Sequence, residues 1–99
     1  MASELLNPIH PGEILREEFM APLGLSTNAL ALALRVPATR VGEIVRERRA
    51  ITPATALRLA RYFGTTADLW LGLQIEYELR VTRRELGSQV EREVQPRVA

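Results

Sequence analysis

Arginine is the residue type that concentrates in one part of this sequence. Between Arg35 and Arg61 there are seven arginines and two glutamates, which gives that segment a net charge of +5. Residues 1–34 carry a net charge of −3, and residues 62–99 carry a net charge of −1. Arginine donates hydrogen bonds through a planar fork that matches the geometry of phosphate. The basic segment therefore has the chemistry of a phosphate-binding surface.

The sequence offers little that could carry out catalysis. It has no cysteine and a single histidine, His10, which lies in a proline-flanked lead-in. It therefore supports neither a histidine-based dyad, nor a disulfide framework, nor a thiolate or multi-histidine metal site. Most acidic residues alternate with arginines, as on solvated helix surfaces, and a carboxylate pair brought together by folding is the remaining enzymatic possibility. We predict that the chain is not an enzyme and binds no metal and no cofactor.

Short helices separated by turn signals account for the whole pattern, and no strand-like alternation is present. Pro11, Ser26, Pro37 or Ala38, Thr52-Pro53 and Thr66 are helix-start signals. Pro22 with Gly24, Pro37, Gly64 and Gly87 are stop signals. They predict an all-α fold of five helices that begin and end at about 11–23, 26–34, 37–46, 53–63 and 66–86. We expect residues 1–10 to be an irregular leader, 11–86 the folded domain and 87–99 a C-terminal tail.

The second and third predicted helices are about nine residues each and are joined by about three. This spacing is typical of a helix-turn-helix, whose second helix enters the major groove of DNA. The third helix has Val41, Ile44 and Val45 on its inner face and a polar outer face near its start. Arginines follow at its end, where phosphates lie when such a helix is docked in the groove. A helix-turn-helix scaffold used only for protein–protein contact is an alternative, which a salt titration of DNA binding would distinguish.

Roles in DNA binding follow from side-chain chemistry. Arg40 can donate to guanine, Thr39 can contact a base edge or a thymine methyl, and Glu43 can accept from cytosine. Gly42 would let the DNA approach the backbone closely, and Thr27 and Asn28 would bind phosphate at the start of a helix. The complete predicted DNA-binding set is Ser26, Thr27, Asn28, Pro37, Ala38, Thr39, Arg40, Gly42, Glu43, Arg46, Arg48 and Arg49.

Apolar residues occupy two sides of the fifth helix. We expect one side of the fifth helix to close the core, through Leu69, Trp70, Leu73 and Tyr77. The apolar stripe of the fourth helix, which we expect to face the same core, is Leu57, Leu59, Ala60 and Phe63. The other side of the fifth helix carries Leu71, Ile75 and Leu79 at intervals of four residues. A helix that is apolar on two sides of so small a domain predicts a partner, here a second copy of the chain. A single broad core stripe is the alternative.

No apolar run approaches the roughly 20 residues that span a bilayer. The first residues also lack the basic and then apolar layout of a signal peptide. We expect a cytoplasmic protein with no membrane partner.

Four segments resemble a known family. The stretch that starts LSTNALA at Leu25 and runs to Arg48-Arg49 is similar to the helix-turn-helix of phage-repressor-like, Xre-type regulators. Three narrower blocks are similar to HigA-type antitoxins of bacterial toxin–antitoxin pairs. These blocks are NPIHPGEIL from Asn7, ITPATALRLA from Ile51 and FGTTADLWL from Phe63. The resemblance covers residues 7–86.

This resemblance implies a five-helix phage-repressor-like domain with an extended C-terminal helix. It also implies a homodimer that binds a palindromic operator in its own promoter, and a complex with a HigB-type, RelE-like toxin that cleaves mRNA on the ribosome. A stand-alone Xre-type repressor without a toxin is the alternative. A small RelE-like reading frame immediately upstream would favour the antitoxin.

The chain departs from the family pattern at two turns. The family usually has glycine after the second helix, where this chain has Arg35, and glycine before the basic pair, where it has Glu47. If either position needs a positive φ, a side chain there costs on the order of 1 kcal/mol.

Overall fold

The computed structural model describes residues 7–98, and in that range it contains five helices and no strand. The first helix, α1, covers residues 11–23 in three continuous segments, Pro11–Ile14, the π-helical Leu15–Met20 and Ala21–Leu23. The others are α2 (Thr27–Leu34), α3 (Ala38–Val45), α4 (Pro53–Phe63) and α5 (Ala67–Glu93). The all-α fold class is confirmed.

Local chemistry at the helix ends explains most of these boundaries. The hydroxyls of Ser26, Thr52 and Thr66 each accept a hydrogen bond from the backbone N–H three residues on, as N-caps do. Gly24 and Gly64 end α1 and α4 in the left-handed conformation, with φ of 60° and 71°. Within α1, the wider π-helical turns end at Met20, two residues before Pro22, whose ring would crowd the carbonyl one turn earlier in a regular α-helix.

A single core joins the helices around Trp70. Its buried apolar residues come from every helix and from the loop before α4, and they are Leu15, Met20, Leu30, Ala31, Leu34, Val41, Ile44, Val45, Ile51, Ala56, Leu59 and Trp70. The Trp70 indole N–H donates to the Thr65 hydroxyl at 2.8 Å, and the Phe19 ring lies 4.9 Å from the indole. The buried Gln74 accepts from the Ile51 N–H at 2.8 Å, which fixes the loop before α4 against α5.

Three expectations about the last two helices are wrong. Leu57 and Leu69 are 65% and 41% exposed and do not line the core. In α4 the buried side is set by Thr55, Ala56 and Leu59, and Leu57 points the other way. Helix α5 does not stop at Gly87 but continues to Glu93, because a glycine within a helix costs only about 1 kcal/mol. It ends three residues before Pro96, where proline disfavours further helix.

Candidate nucleic-acid interface

Helix α2, the turn at 35–37 and helix α3 form a helix-turn-helix unit. Arg35 ends α2 in the left-handed conformation, with a φ of 59°. The Val36 N–H then reaches back to the Ala31 carbonyl at 3.1 Å, which closes the helix end and reverses the chain. Helix α3 follows at Ala38, directly after Pro37. This is the short-helix, tight-turn arrangement that the sequence predicts.

The outer side of α3 is polar, as expected. Val41 and Ile44 are each 1% exposed on its inner side. Thr39 is exposed, and Arg40 and Glu43 are half-buried. The N-terminal half of α3 therefore presents hydrogen-bonding side chains to the surface while its apolar side anchors it in the core.

Gly42 lies differently from the prediction. It is buried, because the Arg46 side chain one turn later folds over it. A Cβ built on Gly42 would lie 3.1 Å from a terminal guanidinium nitrogen of Arg46. In this conformation the Arg46 side chain therefore blocks the direct approach of DNA to the Gly42 backbone. DNA could reach Gly42 only if the Arg46 side chain moved aside.

The end of α3 carries the exposed arginines Arg46, Arg48 and Arg49. Glu47 has a φ of 65°, and the Arg48 N–H bonds to the Glu43 carbonyl at 2.8 Å, which closes the helix. The Arg49 Nε donates to the Glu43 carboxylate at 2.7 Å. This ion pair connects the outer side of α3 to the basic loop and gives Glu43 a cationic partner on a surface that is otherwise basic.

Most predicted DNA-binding residues are accessible. Ser26 and Asn28 at the start of α2, and Pro37 and Ala38 at the start of α3, are exposed, and Thr27 is half-buried. Gly42 is the buried member of the predicted set. The DNA-binding roles of these residues stay predictions.

Helix α1 supports the C-terminal end of α3. The Arg16 guanidinium donates to the Val45 carbonyl, one of the last carbonyls of α3. It also lies 3.6 Å from the Glu47 carboxylate. Its hydrogen bond to Glu17, at 2.8 Å, raises the pKa of Arg16 above its ordinary value, so the group stays charged. Arg16 is not among the residues predicted from the sequence, although it is the one basic residue in the acidic segment 1–34.

The two departures from the family's glycines both fall on left-handed backbone. Arg35 and Glu47 are the non-glycine residues of the described range with positive φ, at 59° and 65°. Each side chain costs on the order of 1 kcal/mol relative to glycine. The ion pair between Glu47 and Arg16 offsets part of that cost at one of the two positions.

His10 is buried at the junction of α1 and α5. Its Nδ1 accepts the Gly12 N–H at 2.8 Å, so it acts as the N-cap of α1. Its ring lies edge-on to Tyr77, with centroids 4.8 Å apart. Burial lowers the pKa of His10 below 6.5, and the nearby Glu47 carboxylate opposes that shift in part. Protonation of Nδ1 would also remove the acceptor that caps the helix.

Stability is expected to fall as the pH drops below about 6.5. The unfolded chain takes up a proton on His10 at a higher pH than the folded protein does. The contribution of neutral His10 to folding stability is therefore complete above the pKa of the unfolded state. It is lost as the pH falls toward the lower pKa of the folded state. Urea unfolding at pH 7.5, 6.5 and 5.5 would measure this loss, with pH values chosen around the ordinary histidine pKa of about 6.5. Because His10 is the chain's single histidine, His10→Asn, which keeps a capping oxygen, should flatten the dependence. An equally steep dependence in that variant would contradict the assignment.

The predicted dimer surface on α5 is partly open. Leu71 is half-buried and packs against the core cluster. Ile75 and Leu79 are 56% and 43% exposed. Further along the helix, Leu86 and Val90 are also exposed. The exposed apolar side of α5 is therefore longer than the three residues predicted, and its pairing with a second copy stays a prediction.

Comparison with known proteins identifies the family. The family described as helix-turn-helix matches residues 15–70, which is more than half of the chain and includes the α2–α3 unit. The chain belongs to the helix-turn-helix family. Proteins of this family are non-enzymatic DNA-binding regulators, so the prediction that this helix-turn-helix protein is not an enzyme is confirmed.

Individual relatives and solved structures show which proteins of the family this chain is similar to. Virulence-associated protein I of Dichelobacter nodosus is 57% identical over 80 residues, 81% of this chain and 74% of the relative. Antitoxin HigA-1 of Vibrio cholerae is 34% identical over 77% of this chain and 71% of its own length. A structure described as Pseudomonas aeruginosa antitoxin HigA with the higBA promoter matches with a TM-score of 0.89 and 49% identity, over 92% of this chain and 99% of that chain. The resemblance to HigA-type, Xre-type proteins is confirmed.

The described residues of this helix-turn-helix protein also bear on a membrane span and on a metal site. In residues 7–98, no helix is both long and apolar enough to cross a membrane. Over the same residues, no group of three or more histidine, aspartate or glutamate side chains is placed to hold a metal ion.

Proposed function

We propose that this protein is the antitoxin of a HigBA-type toxin–antitoxin module and acts in the cytoplasm. As a homodimer it binds a palindromic operator and represses its own promoter, and it also binds and neutralises a RelE-like toxin. The observation that carries the proposal is the exposed arginine cluster at the end of α3, the second helix of the helix-turn-helix unit. The structural likeness to an antitoxin described with its own promoter supports it.

In this proposal the α3 helix lies in the major groove of the operator. Arg40 donates to guanine, Thr39 contacts a neighbouring base, and the Glu43 oxygen not used by Arg49 accepts from cytosine. Arg48 and Arg49 bind phosphate beyond the end of the helix. Helix α2 crosses the backbone, where Thr27 and Asn28 at its start bind a second phosphate. The Arg46 side chain either covers Gly42 or extends to phosphate when DNA is present.

Two arginine variants separate base reading from phosphate binding. Arg40→Ala is expected to weaken binding to the cognate operator by about 1–3 kcal/mol and to relax base preference. Arg48→Ala is expected to weaken binding to all duplexes similarly and to reduce the slope of log affinity against log salt by about 1. Fluorescence anisotropy with the chain's own promoter duplex and a scrambled duplex, at several salt concentrations, measures both effects. Operator binding that is absent at low salt, or insensitive to salt, would refute the proposal.

Neutralisation is tested separately from repression. Co-expression with the RelE-like reading frame next to the chain's own gene is expected to restore growth that this toxin arrests. The double variant Arg40→Ala, Arg48→Ala should still restore growth, since binding a toxin does not require operator binding. Failure of the unmodified chain to restore growth, with operator binding intact, would leave a stand-alone Xre-type repressor as the function.

A further inference from the structure

A groove of about 620 Å³ lies between the C-terminal end of α2 and the outward side of α4. It is separate from the predicted DNA-binding residues, which lie at the start of α2, along α3 and in the loop after it. Its size falls within the range of about 300–1,000 Å³ that is usual for ligand sites. The groove is lined by Ala33, Leu34, Arg35, Ala54, Leu57, Arg58, Arg61 and Tyr62.

The groove combines exposed apolar side chains with positive charge. Leu57 and Tyr62 are 65% and 44% exposed, so both offer apolar area to a partner. Three arginines lie beside them, while neither α2 nor α4 contains an acidic residue. Arg58 donates to the Leu34 carbonyl at 2.9 Å and is held in place at the end of α2. Within residues 7–98 no ion pair joins Arg35 or Arg61 to a carboxylate.

The backbone at Arg35 is a second, independent observation. Its φ of 59° is one that glycine adopts without strain and that a residue with a Cβ adopts at a cost. Strained positions of this kind cluster at functional sites, where the side chain is needed in spite of the strain. The Arg35 side chain, which requires this strained backbone, carries one of the three guanidinium groups that line the groove.

We propose that this groove is a docking site for an acidic segment of a partner protein that inserts an apolar side chain between Leu57 and Tyr62. Tyrosine and arginine are, with tryptophan, the residue types that most often dominate binding at protein interfaces. A carboxylate-bearing segment would pair with Arg35 and Arg61, which form no ion pair within residues 7–98, and its apolar side chain would cover Leu57. DNA fits less well, because phosphate contacts do not use exposed leucine.

The test uses the intact protein and a defined probe. The probe is a fluorescein-labelled amphipathic peptide of glutamate, leucine and alanine, and the matched control peptide has serine in place of every leucine. The first peptide is expected to bind and the control peptide is not. In two-dimensional amide NMR spectra, the binding peptide should shift the signals of Arg35, Leu57 and Tyr62. Shifts confined to α5, or equal binding of both peptides, would overturn the proposal.

Two variants distinguish docking from a structural role. Arg61→Glu is expected to weaken peptide binding about tenfold, whereas Arg92→Glu, the same change at the exposed end of α5, leaves it unchanged. Arg35→Gly should weaken peptide binding and yet raise the urea midpoint of unfolding, because glycine relieves the backbone strain. A purely structural role for the Arg35 side chain would make stability and binding fall together.

The same variants test the other possible occupants. Operator affinity and its salt dependence should not change on Arg35→Gly, and the sedimentation of the protein should not change on Arg61→Glu. A reduced salt slope in Arg35→Gly would identify the groove as a phosphate contact of the operator complex. A change of sedimentation in Arg61→Glu would identify it as an interface between copies. Either result overturns the proposal, and neither depends on whether the chain neutralises a toxin.

Discussion

Replacing Gly12 with alanine is expected to destabilise the protein by about 3 kcal/mol or more. An ideal Cβ at this position would lie 1.8 Å from the Ile44 carbonyl oxygen and 2.8 Å from the Ile44 carbonyl carbon. Overpacked cores usually lose about 1–3 kcal/mol by moving side chains. Here the clashing atoms are backbone atoms of α3, so relief requires α1 and α3 to move apart, and we expect a loss at or above the upper end of that range.

Urea unfolding measures this effect, with the fluorescence of Trp70 as the signal, because the chain's one tryptophan is fully buried. Gly87→Ala is the matched control on α5, where the nearest atom to a Cβ would be the Arg83 Cβ, at 4.0 Å. That control should gain about 0.5–1 kcal/mol, since alanine is the better helix former. Normal stability of Gly12→Ala would mean that α1 does not pack against α3 as closely as described.

The sequence predicts the helix boundaries that local chemistry decides. Ser26, Thr52 and Thr66 are N-caps because each hydroxyl reaches a backbone N–H only three residues away. Gly64 ends α4 for an equally local reason, its left-handed backbone. The sequence pattern did not reveal the π-helical part of α1 before Pro22, nor did it show that α5 continues through Gly87.

The burial errors arise because hydrophobic type alone does not fix which side of a helix faces the core. Leu57 and Leu69 fit an apolar stripe by residue type but are exposed, whereas the polar Thr55 is 2% exposed. Small residues such as Ala56 and Thr55 allow α4 to pack closely, and their burial has no strong signal in a hydrophobicity pattern. Packing between helices decides these positions.

The candidate site is predicted in outline but not in its supporting contacts. The α2–α3 unit and the arginine cluster follow from spacing and charge. The family's glycine pattern also indicates the two left-handed positions, Arg35 and Glu47. The hydrogen bond from Arg16 to Val45 joins residues 29 apart, and no local pattern reports a contact at that separation. The Arg46 side chain over Gly42 likewise depends on a rotamer that sequence does not specify.

Replacing Leu79 with glutamate is expected to disrupt the proposed dimer and operator binding together. Leu79 and Ile75 are exposed one turn apart on α5, on a side that continues to Leu86 and Val90. In a two-fold interface each substitution acts twice. Because Leu79 is 43% exposed in the single chain, each lost leucine removes about 1 kcal/mol of apolar burial at the interface, and each glutamate adds a larger desolvation cost. The dissociation constant of the dimer should therefore rise by about 100-fold or more.

Operator affinity should fall with the dimer because a monomer contacts one half-site. Linking two half-site contacts strengthens binding by about 10²–10⁴, so the variant should bind a full palindrome about as weakly as a single half-site. Sedimentation velocity and operator anisotropy measure the two effects on the same sample. Ser88→Glu adds the same charge on the opposite side of α5 and should change neither. A Leu79→Glu protein that remains dimeric would show that α5 pairs with something else, and that the second copy is held by another surface.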